Sequence, residues 1–146
     1  MAILIKSKRR ITGLRNPRIR QRLETVLRDL GCPDTELSIL ITGDDEIKAL
    51  NERYRGKKEP TNVLAFPMWK GPGPDPDTGL LGDVVISADR AREESRCIGE
   101  PVQDTFYRLL IHGLLHLLGY DHEGSEMEAR RMEEEQARLL SLVKEV

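Results

Sequence analysis

The segment from Phe106 to His122 constrains the fold more than any other, because it joins an apolar helix to a cluster of histidines. Leucine, isoleucine and phenylalanine occur on all sides of its helical projection, which is typical of a helix buried in a core. The chain has three histidines, and His112, His116 and His122 all lie here. We therefore expect a buried helix that carries nitrogen ligands at its carboxyl end.

The spacing of these histidines predicts a metal site. His112 and His116 are four residues apart, so on a helix their Cβ atoms lie on one face, about 5–6 Å apart. Gly119 can adopt the left-handed conformation that ends a helix, which allows His122 to return as a third ligand. Three neutral imidazoles suit one Zn²⁺ per chain and leave a fourth position for water. The alternative, core histidines satisfied by hydrogen bonds, does not account for the common spacing of all three.

The same spacing occurs in the metzincin zinc proteases, where a glutamate follows the first histidine. Gly113 occupies that position, so the usual proton acceptor of peptide hydrolysis is missing. A general base contributes roughly 10²–10⁴-fold to such a reaction. The sequence therefore predicts a metzincin-like site geometry that serves a different reaction.

Length and composition indicate one domain in a reducing compartment. A chain of 146 residues can bury a single hydrophobic core. It has no apolar run long enough to span a membrane, and its first residues lack the pattern of a signal peptide. Cys32 and Cys97 form no CxxC motif and are expected to be free thiols. We expect a cytoplasmic protein without a membrane partner.

The distribution of charge suggests a basic surface near the amino terminus. The net charge of −2 argues against a general nucleic-acid coat protein. The first thirty residues, however, are strongly basic, whereas the C-terminal segment is rich in glutamate. Either a basic face follows a phosphate backbone or the cations belong to a solvated helix face, and the sequence leaves both open. The basic residues are Lys6, Lys8, Arg9, Arg10, Arg15, Arg18, Arg20, Arg22 and Arg28.

Hydrophobic periodicity predicts an α+β fold. The expected architecture is a single domain, 1–146, with a small four-stranded mixed sheet, packed helices and the histidine helix lying on the sheet. Residues 68–78, rich in proline and glycine, should form a loop. Asn16, Asp44 or Asp45, Pro101 and Ser125 mark helix starts, and Gly31 and Gly56 mark helix ends. Strands are predicted at 2–8, 37–42, 61–66 and 81–87, and a further helix at 88–97.

Three segments carry a resemblance to a known family. The histidine motif, His-Gly-x-Leu-His-Leu-x-Gly-Tyr-Asp-His at 112–122, resembles the signature of the YbeY family, bacterial endoribonucleases of ribosomal RNA maturation. The segment Asn51–Lys57 with the following Pro60-Thr61, and the strand Leu81–Ser87, are similar to two further family motifs. The matches run in order from about Leu40 to Gly124. Two departures are visible: Asn62 stands where aspartate is usual, and Ala65 where serine is usual.

The resemblance implies a zinc-dependent, single-strand-specific endoribonuclease. Its substrate would be single-stranded rRNA of the small ribosomal subunit, cut during late 16S rRNA 3′-end maturation and in ribosome quality control. Zn²⁺ would be held by His112, His116 and His122, and ribosome-associated proteins would be possible partners. The resemblance also implies a functional arginine at Arg55.

Arg55 and Asp121 are the candidate catalytic residues. Arg55 could hold a phosphate by two parallel hydrogen bonds, or it could simply be a surface residue at a helix end. Asp121 could orient a neighbouring imidazole or assist proton transfer, or it could be a turn residue that bonds its own backbone.

The sequence also allows two other functions. One is a metalloprotease or other metal hydrolase, and Gly113 in place of glutamate argues against it. The other is a ribosome-assembly factor whose zinc is structural, which would require a closed fourth coordination position.

Overall fold

The computed structural model describes residues 2–121 and 123–146. Strands and helices alternate through the first half of the chain, and three helices follow the last strand. The elements are β1 (Ala2–Ser7), α1 (Asn16–Asp29), β2 (Glu36–Thr42), α2 (Asp44–Arg55), β3 (Val63–Pro67), β4 (Leu80–Ser87), α3 (Ala88–Ile98), α4 (Val102–Leu117) and α5 (Glu126–Glu145).

The strands form the four-stranded mixed sheet that the sequence predicts. Their order is β1-β2-β4-β3, with β1, β2 and β4 parallel and β3 antiparallel to β4. β3 is therefore an edge strand, which explains why Pro67 is tolerated at its end. The α+β prediction is confirmed.

The two faces of the sheet are covered by different helices, as the alternation along β4 shows. Val84 and Ile86 belong to the main core, which α4 shares. Val85, between them, points to the other face and packs with Ile47 of α2 and Leu64. The histidine helix thus lies on one face of β3 and β4, and α2 lies on the other.

α4 is buried on nearly every side, as its apolar composition predicts. It contacts β3, β4, α3 and α5. Its buried residues are Thr105, Phe106, Tyr107, Leu109, Leu110, Ile111, Gly113, Leu114, Leu115 and Leu117. A helix packed against four other elements is a rigid platform for the side chains at its carboxyl end.

Several predicted boundaries are corrected by the structure. Arg15, not Asn16, occupies the N-cap of α1, because the Asn16 side chain accepts a hydrogen bond from the Ser7 hydroxyl at 3.1 Å instead. β3 begins at Val63 rather than at 61. Ser125 caps α5 as predicted, accepting from the Glu128 backbone N–H.

Within the described ranges, no helix is long and apolar enough to cross a membrane. Cys32 is half-buried and Cys97 exposed, and both are free thiols.

Candidate metal-binding and catalytic site

The side chains of His112 and His116 converge at the carboxyl end of α4. Their Nε2 atoms lie 3.1 Å apart, and their ring planes are inclined by 80°. Two nitrogens bound to one tetrahedral Zn²⁺ at 2.0–2.1 Å would be separated by roughly 3.3 Å. The described pair therefore fits two positions of such a site.

The third predicted ligand, His122, lies outside the described residues. Over 2–121 and 123–146, no group of three His, Cys, Asp or Glu side chains is arranged to hold a metal ion. The turn that leads to His122 is described: α4 ends at Leu117 and Gly119 has φ of +97°, the left-handed conformation the sequence predicts.

The other ring nitrogen of His112 contacts α5. His112 Nδ1 lies 3.0 Å from Oε1 of Gln136, and both side chains are half-buried. Sequence reasoning did not identify Gln136, because a lone glutamine in a glutamate-rich amphipathic helix carries no signal. Only the packing of α5 on α4 reveals its position.

Arg55 lies in the same cleft as the two histidines. A cavity of about 470 Å³ is lined by both, by Arg55 and Asp121 and by residues of β3. Arg55 is the last residue of α2, which ends at Gly56 with φ of +69°. The structure therefore brings Arg55, Asp121, His112 and His116 to one place.

The loop after Arg55 is fixed by Asn51. The Asn51 side chain is 1% exposed and donates from Nδ2 to the Glu59 carbonyl at 2.8 Å. Its own backbone carbonyl accepts from the Lys57 N–H. These bonds hold the loop after α2 against its last turn, so the base of the Arg55 side chain has a defined position.

Asp121 makes a turn contact and also lines the cavity. Its Oδ1 accepts the Glu123 backbone N–H at 2.9 Å, the contact expected of a turn residue. The exposed side chain also lines the cavity, together with the carboxylate of Glu123. Glu123 was not identified from the sequence, although an acidic residue directly after the third predicted ligand could have suggested it.

Gly113 explains why the metzincin glutamate is missing. A Cβ at this position would lie 2.8 Å from Cγ1 of Val84 and 3.1 Å from Cγ2 of Val63. Helix α4 approaches β3 and β4 too closely here to admit a side chain. The structure thus excludes a general base at this position for steric reasons as well as by composition.

Asn62 and Ala65, the departures from the family pattern, both line the cavity. Asn62 donates from Nδ2 to Glu94 Oε1 at 2.7 Å, and its backbone carbonyl accepts the Ser87 N–H. An aspartate at 62 would place a second carboxylate beside Glu94. In this chain Asn62 therefore joins the residue before β3 to α3 by a bond that aspartate could not donate.

The predicted basic residues have different neighbours. Lys8 pairs with Glu46 at 2.7 Å, Arg18 bonds the terminal carbonyl of Val146, and Arg22 lies 4.8 Å from the centre of the Tyr107 ring. Arg9, Arg10 and Arg15 instead line a separate cavity of about 680 Å³ between β1 and α1.

The arginine-lined cavity lies at the other end of α4 from the histidines. Gln103, in the first turn of α4, donates from Nε2 to the Thr12 carbonyl of the same loop at 2.8 Å. Thirteen residues separate it from His116, which corresponds to roughly 20 Å along a helix.

Sequence and structure comparisons show which known proteins this chain is similar to. The family model for Endoribonuclease YbeY matches residues 5–144. Endoribonuclease YbeY of Syntrophotalea carbinolica is 48% identical over 123 residues, 84% of this chain and 82% of the relative. That of Geobacter sulfurreducens is 46% identical over 144 residues, 98% of this chain and 95% of the relative. The solution structure of TM1509 from Thermotoga maritima has a TM-score of 0.66 at 26% identity, covering 97% of this chain and 88% of that one.

The fold and the site together define a small α+β protein with paired histidines and an arginine facing one cleft. The match to the family model and to relatives over most of both chains identifies its family. The chain belongs to the Endoribonuclease YbeY family.

Proposed function

We propose that this protein is a zinc-dependent, single-strand-specific endoribonuclease that acts in late 16S rRNA 3′-end maturation and in ribosome quality control. The observation that carries the proposal is the convergence of His112 Nε2 and His116 Nε2 in a cavity that Arg55 also lines. The family supports the nuclease activity, since its relatives are named Endoribonuclease YbeY. The ligand set would be His112, His116 and His122, with one Zn²⁺ per chain.

The donor set fits the chemistry of the proposed ion. Bound Zn²⁺ would polarise a phosphoryl oxygen and lower the pKa of a bound water toward neutrality. Imidazole nitrogens are suitable ligands, and three of them would leave a position open for water or substrate.

Arg55 would bind the scissile phosphate. Its planar guanidinium can donate two parallel hydrogen bonds to phosphate oxygens and stabilise charge that develops on them during cleavage. Arg55 and the histidine pair line the same cavity, in which such a phosphate would be bound.

Asp121 and Glu123 are the carboxylates that line the cavity in the described part of the chain. Asp121 uses Oδ1 in the turn, which fixes the orientation of the carboxyl group. We propose that Asp121 accepts or relays a proton through its other oxygen, the role expected of a base positioned within reach of the reacting group.

The arginine-lined cavity would contact RNA remote from the cut. Arg9, Arg10 and Arg15 line this cavity, and Gln103 joins its loop to the first turn of α4, at the other end of that helix from the histidines. The RNA would be single-stranded rRNA of the small ribosomal subunit, with ribosome-associated proteins as further partners. We place the protein in the cytoplasm, which the two free thiols support.

The alternatives are less well supported. A metalloprotease needs a base where Gly113 has no room for a Cβ. A structural zinc in a ribosome-assembly factor would not require an arginine beside the ligands, whereas Arg55 lines the same cavity as His112 and His116.

Cleavage of defined RNAs tests the proposal. Zinc-loaded wild type should cut a single-stranded RNA that carries the 3′ end of small-subunit rRNA, and leave the same segment intact when it is annealed into a duplex. His116→Ala should lose cleavage. Equal cutting of both substrates, or full activity in His116→Ala, would contradict it.

A further inference from the structure

The contact between Gln136 and His112 determines which nitrogen of His112 carries the proton. A neutral imidazole has one N–H, so one ring nitrogen donates and the other accepts. Gln136 presents its amide oxygen, an acceptor, to Nδ1 at 3.0 Å. The bond therefore requires the proton on Nδ1 and leaves the lone pair on Nε2.

Nε2 is the nitrogen that faces the cavity. It lies 3.1 Å from His116 Nε2, on the opposite side of the His112 ring from Gln136. The imidazole thus bridges the two helices, with its protonated nitrogen toward α5 and its lone pair toward the cavity.

The position of Gln136 is fixed by its own helix. Met132 and Leu139, on the same side of α5, are buried in the core at 2% and 0% exposure. Arg138 joins α5 to α1 by an ion pair with Asp29 at 2.7 Å. The apolar side and the ion pair both anchor α5, so the backbone of Gln136 has a defined position beside His112.

We propose that Gln136 is a positioning residue that holds His112 in the Nδ1-protonated tautomer and aims Nε2 at the metal site. The inference rests on the metal ligation in the proposed function, and it extends that site to a residue of α5. Groups that hydrogen-bond the second nitrogen of a ligating histidine typically contribute 10–100-fold to metal affinity.

Two substitutions separate the hydrogen bond from the volume of the side chain. Gln136→Leu keeps a similar size and removes the acceptor, whereas Gln136→Glu restores an oxygen at the same position. Gln21→Leu, on the exposed face of α1, is the matched control for replacing a glutamine by leucine in a helix.

The first readout is the tautomer itself, measured on the metal-free protein by two-bond ¹H–¹⁵N correlation NMR of the histidine rings. At about pH 8, above the ordinary imidazole pKa near 6.5, wild type and Gln136→Glu should show His112 protonated on Nδ1. Gln136→Leu should show a mixture of tautomers. A wild-type His112 protonated on Nε2 would overturn the proposal.

The second readout is the zinc Kd, measured by competition with a chromophoric chelator. Gln136→Leu should bind roughly 10–100-fold more weakly than wild type, while Gln136→Glu and Gln21→Leu should stay close to it. An unchanged Kd and tautomer in Gln136→Leu would overturn the proposal. Failure of the proposed function would give a different result from failure of this proposal. Wild type would then bind zinc and show the predicted His112 tautomer but would not cleave RNA.

Discussion

At the scale of single residues, substitutions of Arg55 distinguish a role in RNA cleavage from a role in stabilising the fold. Arg55→Lys keeps the charge but loses the planar pair of donors. If Arg55 acts in the transition state, cleavage should fall while RNA affinity stays nearly constant, and Arg55→Ala should lose about 10²–10³-fold in kcat. Single-turnover cleavage and equilibrium RNA binding measure the two effects.

Arg53 provides the matched control for Arg55. It lies on the same turn of α2, but its guanidinium is 5.3 Å from the centre of the Tyr54 ring and does not line the cavity. Arg53→Ala should therefore cleave RNA almost as wild type does. Full activity in Arg55→Ala would show that Arg55 takes no part in cleavage. An Arg55→Ala variant that fails to fold would show that Arg55 mainly stabilises the end of α2.

Gly113 is a second test at this scale. Gly113→Ala should gain up to about 1 kcal/mol of helix propensity. Because its Cβ would meet Val84 at 2.8 Å, overpacking should outweigh this gain and destabilise the fold by about 1–3 kcal/mol net. Denaturant unfolding gives the value, with Ser141→Ala on the exposed face of α5 as control. A variant as stable as wild type would show that α4 can move away from the sheet.

At the scale of elements, an ion pair ties the start of α2 to the segment after β1. Lys8 donates to Glu46 at 2.7 Å and the Thr42 hydroxyl donates to the same carboxylate, and these bonds lower the pKa of Glu46 below its ordinary value. A carboxyl group with a lowered pKa stabilises the fold at neutral pH, and this contribution disappears as the pH falls through the folded-state pKa.

Glu46→Gln should therefore be less stable than wild type at neutral pH, by at most about 1 kcal/mol because the pair is partly exposed. The difference should shrink as the pH falls through the lowered pKa of Glu46 and its carboxylate becomes protonated. Urea unfolding at several pH values measures it. A difference that is the same at neutral and acidic pH would show that the ion pair is not its cause.

The elements also show what the sequence could predict. α4 was predictable because its apolar residues surround the helix, and its end was predictable because Gly119 could adopt a positive φ. The N-cap of α1 was not, since Asn16 binds Ser7 of another element. Gln136 and the cavity position of Arg55 depend on how α5 and α2 pack against the rest, which no local pattern encodes.

At the scale of the whole molecule, the arginine-lined cavity and the histidine cleft lie at opposite ends of α4. If RNA spans both, its affinity should fall steeply with salt, because each phosphate that the protein neutralises releases counterions. Reversing Arg9, Arg10 and Arg15 together should reduce the slope of log K against log salt by about 0.7 for each phosphate that these arginines neutralise in wild type.

Binding isotherms at several salt concentrations measure that slope. Reversal of Arg28, Arg96 and Arg130 changes the net charge equally at exposed positions elsewhere, and it should leave the slope close to that of wild type. Equal effects of the two triple variants would show that net charge, and not the cavity, attracts the RNA.

The central claim is that the histidines bind a metal ion on which RNA cleavage depends. Zinc content of the purified protein, measured together with single-stranded RNA cleavage, tests it most directly. We expect about one zinc per chain in wild type, and loss of both zinc and cleavage when His112, His116 and His122 are replaced by alanine. A triple variant that retains its zinc, or that cuts RNA without it, would contradict the claim.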